Sequence, residues 1–272
     1  MTETAPPASL PAADPAAVER WRRFRKHRDA ALASDFGWLT LTSLQWLPEQ
    51  PGPLELVPGL WSTDRKTATL TASAEDGFVF VESGEQVDGT YSAELADEES
   101  LNWVRYRSIV VELAVRGGRY AIRTRDAQSP TFTDFEHVPT YEYDPSFVVQ
   151  ASFERYPEPR DIPIGTANPL VEGVHRAAGE LVFELKGHHY RLTAEEDKLG
   201  GLTVTFHDET NGDTTDEWRK VSTAKPRPDG TVELDFNRAI NYPSAFSPYG
   251  TCPMPTRNNS LGVRIEAGEK TP

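Results

Sequence analysis

The sequence predicts a mainly β protein in which one N-terminal helix precedes two antiparallel β units. Three observations carry that reading. From residue 36 onward, short apolar runs are broken by Gly, Pro, Asn and Asp, the texture of strands joined by tight turns. Period-two alternation is explicit at Leu181, Phe183 and Leu185, and again at Leu202, Val204 and Phe206, with Val182, Glu184, Thr203 and Thr205 expected to face outward. Regular helix–strand alternation is absent, which argues against a doubly wound α/β sheet.

Charge and cysteine content narrow the function classes. The 272 residues carry 28 Lys+Arg against 42 Asp+Glu, a net charge of −14, and a single cysteine. One cysteine closes no intrachain disulfide and supplies no thiolate metal cluster. The acidity argues against nucleic acid as partner, because nonspecific affinity for it comes from cations that displace counterions. No run approaches the ~18 apolar residues of a spanning helix. The first residues lack the basic and apolar stretches of a secretory signal, so a cytoplasmic location is expected.

Residues 1–13, rich in Pro, Ala and Thr, read as a disordered arm. The helix is expected within residues 14–34: Asp14 is a good N-cap, Pro15 suits the first turn, and Val18, Trp21, Phe24, Ala31 and Leu32 recur at helical spacing. Arg20, Arg22, Arg23, Lys26 and Arg28 form its opposite face, either solvated or a docking site for an acidic partner.

The first β unit is expected over residues 35–145. Its candidate strands are Leu39–Leu44, Ala68–Ala72, Phe78–Glu82, Ser108–Val115 and Tyr120–Arg125, the last two joined at Gly117-Gly118. The stretch 131–169 interleaves prolines with aromatics and reads as a packed connector, with the boundary near residue 145. The second unit is expected over residues 146–272. Here Leu181–Leu185 and Tyr190–Leu192 flank Lys186-Gly187, Leu202–His207 leads to the Asn211-Gly212 turn, and Val232–Phe236 follows Pro228-Asp229-Gly230.

The common catalytic signatures are missing: no Gly-x-Ser-x-Gly elbow, no Walker loop, no Gly-x-Gly-x-x-Gly fingerprint. His27, His137 and His175 stand alone, His188 and His189 point to opposite faces of one strand, and His207 ends a strand beside Asp208. No metal and no cofactor are expected.

The densest stretch runs from Asp235 to Pro253, DFNRAINYPSAFSPYGTCP, and closes with Glu266-Ala267-Gly268-Glu269-Lys270. Together with Gly37-Trp38-Leu39-Thr40-Leu41 and Trp46-Leu47, it resembles the bacterial and archaeal family catalogued as domain of unknown function 1684. The resemblance spans roughly residues 18–270. It implies that the first unit is similar to forkhead-associated domains and that a second β unit, barrel-like or sandwich-like, follows; it implies no reaction. The chain departs from the family pattern at Ser244, where a second cysteine is usual. It departs again at Thr215-Asp216-Glu217-Trp218-Arg219, where the family tends to read Tyr-Gly-x-Gly-Arg and only Arg219 is kept. A phosphothreonine reader presents Arg and Ser from a cationic loop, and Leu54–Arg65 offers only Arg65 beside Ser62, Thr63 and Asp64.

Two functional readings follow. In the first, a pocket of the second unit binds or transforms a small anionic molecule. Arg219 and Arg238 grip the charge, Asn237 and Asn241 add neutral hydrogen bonds, and Tyr249 forms a wall or gives a proton. Cys252 is then a candidate nucleophile, and Glu266 or Glu269 a candidate base. Each has a structural counterpart: Arg238 paired with Asp235 or Glu266, asparagines capping turns, Cys252 as a small buried hydrophobe. In the second reading the chain is a non-catalytic scaffold that recognises another protein through the forkhead-like unit and the basic helix.

Overall fold

The computed structural model describes residues 14–272, so the expected arm lies outside the described residues. The helix spans Pro15–Leu32, and the Asp14 side chain accepts from the Ala16 amide at 3.0 Å, as an N-cap should. Arg20, Arg22, Arg23 and Lys26 are exposed. Arg28 leaves that face: like Arg25, it turns inward to an ion pair with Glu269.

After the helix, the regular elements among the described residues are strands and single helical turns, joined by loops. In the first half, a five-stranded sheet holds Leu41–Trp46, Val79–Phe80, Ser100–Tyr106, Ile109–Arg116 and Arg119–Asp126. A four-stranded sheet of Gly52–Leu54, Val57–Thr63, Ala68–Ala72 and Gly89–Ala93 shares one core with it. Trp61, fully buried, centres that core, edge-on to Phe78 and Trp103 at 6.0 Å each. The Gly117-Gly118 hairpin forms as expected, with φ of +57° and +68°. The strand expected from Leu39 starts at Leu41, because Trp38–Thr40 make a helical turn first.

The second half curls an eight-stranded sheet into a half-barrel round a separate core that includes Phe153, Leu181, Phe183, Val204, Phe206, Leu234 and Phe236. The alternations at 181–185 and 202–206 place their apolar sets inside, and the hairpin at Lys186-Gly187 turns through φ of +50° and +80°. Among the described residues all pairings of named strands are antiparallel except Leu202–Asp208 with Ser260–Leu261, which run parallel.

The proline-rich connector is not a connector throughout. Val148–Ile164 is the longest strand, continuing through Pro157, Pro159 and Pro163. It pairs with Thr231–Asp235 over Val148–Ser152, and the Phe153 amide still donates to the Gly230 carbonyl at 2.8 Å. Its ladder with Gly173–Leu185 breaks between Arg155 and Arg160, and Pro157 and Pro159 sit in that bulge, where a missing N–H costs no ladder bond. At the edge of the bulge, Gly179 is obligatory: a Cβ would lie 2.4 Å from the Glu154 carbonyl oxygen.

Candidate functional site

The signature segment divides into a latch and a cover. In the latch, Asp235 caps the turn Phe236–Arg238, and Asn237 exchanges a pair of 2.9 Å hydrogen bonds with the Asp144 backbone. Gly268 holds φ +77°, where a Cβ would lie 2.6 Å from the Ala239 carbonyl oxygen. This close crossing delivers Glu269 to the interior. Its carboxylate, fully buried, accepts from Arg25 Nη1 at 2.7 Å, Arg28 Nε at 3.1 Å and the Asn241 amide at 2.6 Å. Its carbonyl accepts from Arg219 Nη1 at 3.0 Å. Arg219 gives its remaining Nη bonds to Asp208 at 2.8 Å, to the carbonyls of Ala267 and Ile265, and to Thr210 Oγ1 at 3.4 Å.

The sequence-nominated residues therefore fall in three places. Arg219, Asn241 and Glu269 meet in the latch, facing the chain itself. Asn237 and Arg238 lie against the helix: Arg238 is exposed over the Phe24 ring at 4.4 Å, and the Asn237 carbonyl accepts from Trp21 Nε1 at 3.0 Å. Glu266 is exposed and paired with Arg264 at 3.1 Å. Tyr249 and Cys252 belong to the cover, residues 242–259, which crosses the outer face of Leu202–Asp208 and Arg219–Ser222.

That face was expected to meet solvent. Thr205 instead is 2% exposed and hydrogen-bonds the Tyr242 hydroxyl at 2.6 Å. The cover is stitched down by Cys252 O to the Ala167 amide at 2.8 Å and by Asn259 to Thr193 and Thr205. Between cover and sheet, Trp218, Tyr242 and Cys252 pack into a small cluster of their own. Among them stands Lys220, the cross-strand neighbour of Thr205, with Nζ 4.8 Å from the Tyr242 ring centroid. Among the described residues, no carboxylate ion-pairs with this amine and no acceptor hydrogen-bonds it.

Trp218 Nε1, Arg123 Nε and Ser244 Oγ are buried without hydrogen-bond partners, as are Asn241 Oδ1 in the latch and His175 Nε2 near Glu195. Burial pushes the Lys220 amine down, with help from Arg28; Cys252, Glu195 and Glu269 pull the other way. Burial pushes the Cys252 thiol up, opposed by the facing Ser244 groups, Lys220 and Arg123. Burial likewise holds the Tyr242 phenol well above its ordinary value.

A wall of this compartment comes from the first β unit. Arg123 donates to Thr251 Oγ1 at 3.1 Å and to Glu112 at 3.2 Å; Arg125 donates to Glu112 at 2.7 Å and to the carbonyls of Phe36 and Gly37. Trp38 lies against both guanidinium groups and opens onto a cleft of about 540 Å³, whose rim Arg28 shares. Burial alone would raise the Glu112 carboxyl, but Arg125 and Arg123 together hold it below its ordinary value. A folded value below the unfolded one contributes stability at neutral pH that is lost as pH falls through the folded value. Glu112→Gln is therefore expected to be less stable at pH 7, with its deficit shrinking below about pH 4. Urea midpoints at pH 7, 5 and 3 check this; a deficit independent of pH would contradict it.

Lys220, Trp218, Tyr242 and Arg123 were not singled out from the sequence. The one available signal was the Trp218-x-Lys220 spacing, which puts an aromatic and an amine on one strand face. That the face is covered is legible only from the fold. Among the described residues no group of three or more His, Cys, Asp or Glu could hold a metal ion, and no helix is long and apolar enough to cross a membrane.

The chain belongs to the family described as "Protein of unknown function (DUF1684)", whose model matches residues 133–270, half of the chain. The match takes in the latch, the cover and the strands beneath it. None of the curated proteins matches. Among solved structures, the chain is similar to the solution NMR structure of an uncharacterized protein from Haloarcula marismortui. The identity is 27% and the TM-score 0.44, over 51% of this chain and 78% of that one.

Proposed function

We propose that the protein binds a small anionic molecule in the second β unit, in the compartment between the cover and the sheet. The observation that carries this is two buried N–H groups without acceptors, Trp218 Nε1 and Arg123 Nε, with the half-buried Lys220, which has no ion-pair partner among the described residues, on the same strand face as Trp218. A buried donor without an acceptor is costly, and a carboxylate or phosphate placed there would accept from it and answer the lysine's charge. The proposal moves the charge-gripping role from Arg219 and Arg238 to Lys220, because Arg219 is spent on its own backbone and Arg238 lies on another surface.

In a thermal-shift series of small carboxylates and phosphates, the wild-type protein is expected to be stabilised by about 2.7 kcal/mol by its best ligand at a hundredfold excess over Kd. Lys220→Met keeps the aliphatic stem and is expected to fold normally but lose that stabilisation. Equal stabilisation of both proteins by every anion tried would sink the proposal. The alternative, a protein-binding module, draws support from the groove of about 380 Å³ beside the helix, where Arg20, Arg23, His27 and Arg238 surround Trp21 and Phe24. Against its forkhead-like form stands Arg65, the one arginine of the relevant loop, which is paired with Glu49 at 2.8 Å.

A further inference from the structure

We propose that the groove beside the helix is a docking site for an acidic peptide segment of a partner protein, rich in glutamate or aspartate with apolar residues between. The proposal is independent of the anion compartment; it rests on the protein-binding reading and adds the chemistry of the partner.

Two adjoining cavities form the groove. The first, of about 380 Å³, is lined by Arg20, Arg23 and His27 from the helix and by Tyr143, Val148 and Arg238 from the second β unit and its approach. The second, of about 270 Å³, adds Lys225 and Arg227. Glu233, Asp235 and Arg238 line both. Asp235 is engaged by Asn237, accepting from its amide at 3.0 Å and its Nδ2 at 2.9 Å, which leaves Glu233 as the opposing charge.

The cations converge without counter-charges. Elsewhere on this acidic chain, exposed arginines are answered by carboxylates: Arg65 by Glu49, Arg155 by Glu196 and Arg191 by Glu180. Among the described residues, Arg20, Arg23, Lys225, Arg227 and Arg238 form no such ion pair, and all five are exposed. The floor beneath them is aromatic and fixed. Trp21 Nε1 donates to the Asn237 carbonyl at 3.0 Å, its ring stands 6.0 Å from that of Tyr143, and Arg238 covers Phe24. Guanidinium groups hold carboxylates through paired N–H bonds, and arginine clusters that read acidic motifs are a recurrent mode of peptide recognition. The aromatic rings take the apolar residues between the acids. A bilayer suits the groove less well. A helix that lies on a membrane turns its Trp and Phe outward, whereas Trp21 and Phe24 are half-buried against the body. A second copy is opposed by its net charge of −14.

Fluorescence anisotropy of the full chain with a fluorescein-labelled, glutamate-rich peptide carrying isolated leucines tests this. Arg20→Glu with Arg23→Glu is expected to weaken binding at least about tenfold, because each reversal sets like charges together. Both side chains are exposed on the helix, so the fold is expected to hold, which circular dichroism checks. Lys225→Glu, from the second cavity and another element, is expected to weaken binding in the same direction. Lys66→Glu with Arg105→Glu, exposed in the first β unit, makes the same change in net charge. That pair is expected to leave the affinity within about twofold, since charges beyond a Debye length are screened. Equal weakening by the two pairs overturns the docking site in favour of general charge attraction. Equal binding of a peptide with glutamine in place of glutamate overturns the acidic partner while the groove stands, and binding of neither peptide overturns both. Binding of phosphatidylserine vesicles, or of a second copy in sedimentation, in place of the peptide also overturns the proposal. The anion compartment shares none of these residues and is untouched by any of these results.

Discussion

Glu269→Ala is expected to lower stability by about 3–5 kcal/mol, the usual consequence of removing one member of a buried ionic cluster. The wild-type carboxylate is fully buried and answers two guanidinium groups and one backbone amide. Alanine leaves Arg28 with the Asn241 carbonyl, leaves Arg25 with only Asp29 at 3.6 Å, and leaves the Asn241 N–H with nothing. The loss should be uneven across the molecule. The helix is held by these pairs and by the Trp21 bond, so it is expected to become the first protease-sensitive segment. Urea denaturation gives the global figure and limited proteolysis the local one. Glu269→Gln keeps one accepting oxygen and should recover part of the loss. A Glu269→Ala protein within 1 kcal/mol of wild type, with its helix intact, would falsify the latch assignment.

Arg219→Lys is expected to be almost as damaging, despite keeping the charge. The guanidinium is fully buried and spreads its bonds over Asp208 and the carbonyls of Ile265, Ala267 and Glu269. A lysine ammonium is a single point on a flexible stem and does not reproduce that fork. Asp208 would remain buried with an ill-placed partner, so a loss of about 3 kcal/mol is expected. Hydrogen exchange should show the amides of 265–269 losing protection while the first β unit keeps its own. Wild-type stability in the lysine variant would mean that charge alone, rather than the fork, organises the tail.

Turn chemistry made much of this fold legible. Gly117-Gly118 and Lys186-Gly187 mark hairpins whose geometry few other residue pairs reach, and the alternations around Phe183 and Val204 fix which face is core. Two readings failed for a shared reason. The 131–169 stretch was expected to be a connector because proline disrupts ladders, yet Pro157 and Pro159 sit in a bulge that the ladder skips. Thr205 was expected to face water because its neighbours in the alternation are core, yet a loop nearly forty residues downstream covers it. In both cases the deciding fact is what lies beside a strand, which local periodicity does not encode. The site residues show the same divide. Arg219, Asn241 and Glu269 stand out in the sequence because so much backbone depends on them, whereas Lys220 looks like any surface lysine until the cover is in place.

The run of prolines along Val148–Ile164 has a consequence for the protein in a crowded solution. A strand from another molecule laid against that rim would find carbonyls at Pro157, Pro159 and Pro163 but no matching donors. The half-barrel thus carries its own chain terminator. Growth of a shared sheet between copies is opposed there by the missing donors and by the exposed charges of Glu154, Arg155, Glu158, Arg160 and Asp161, which protects against cross-β aggregation.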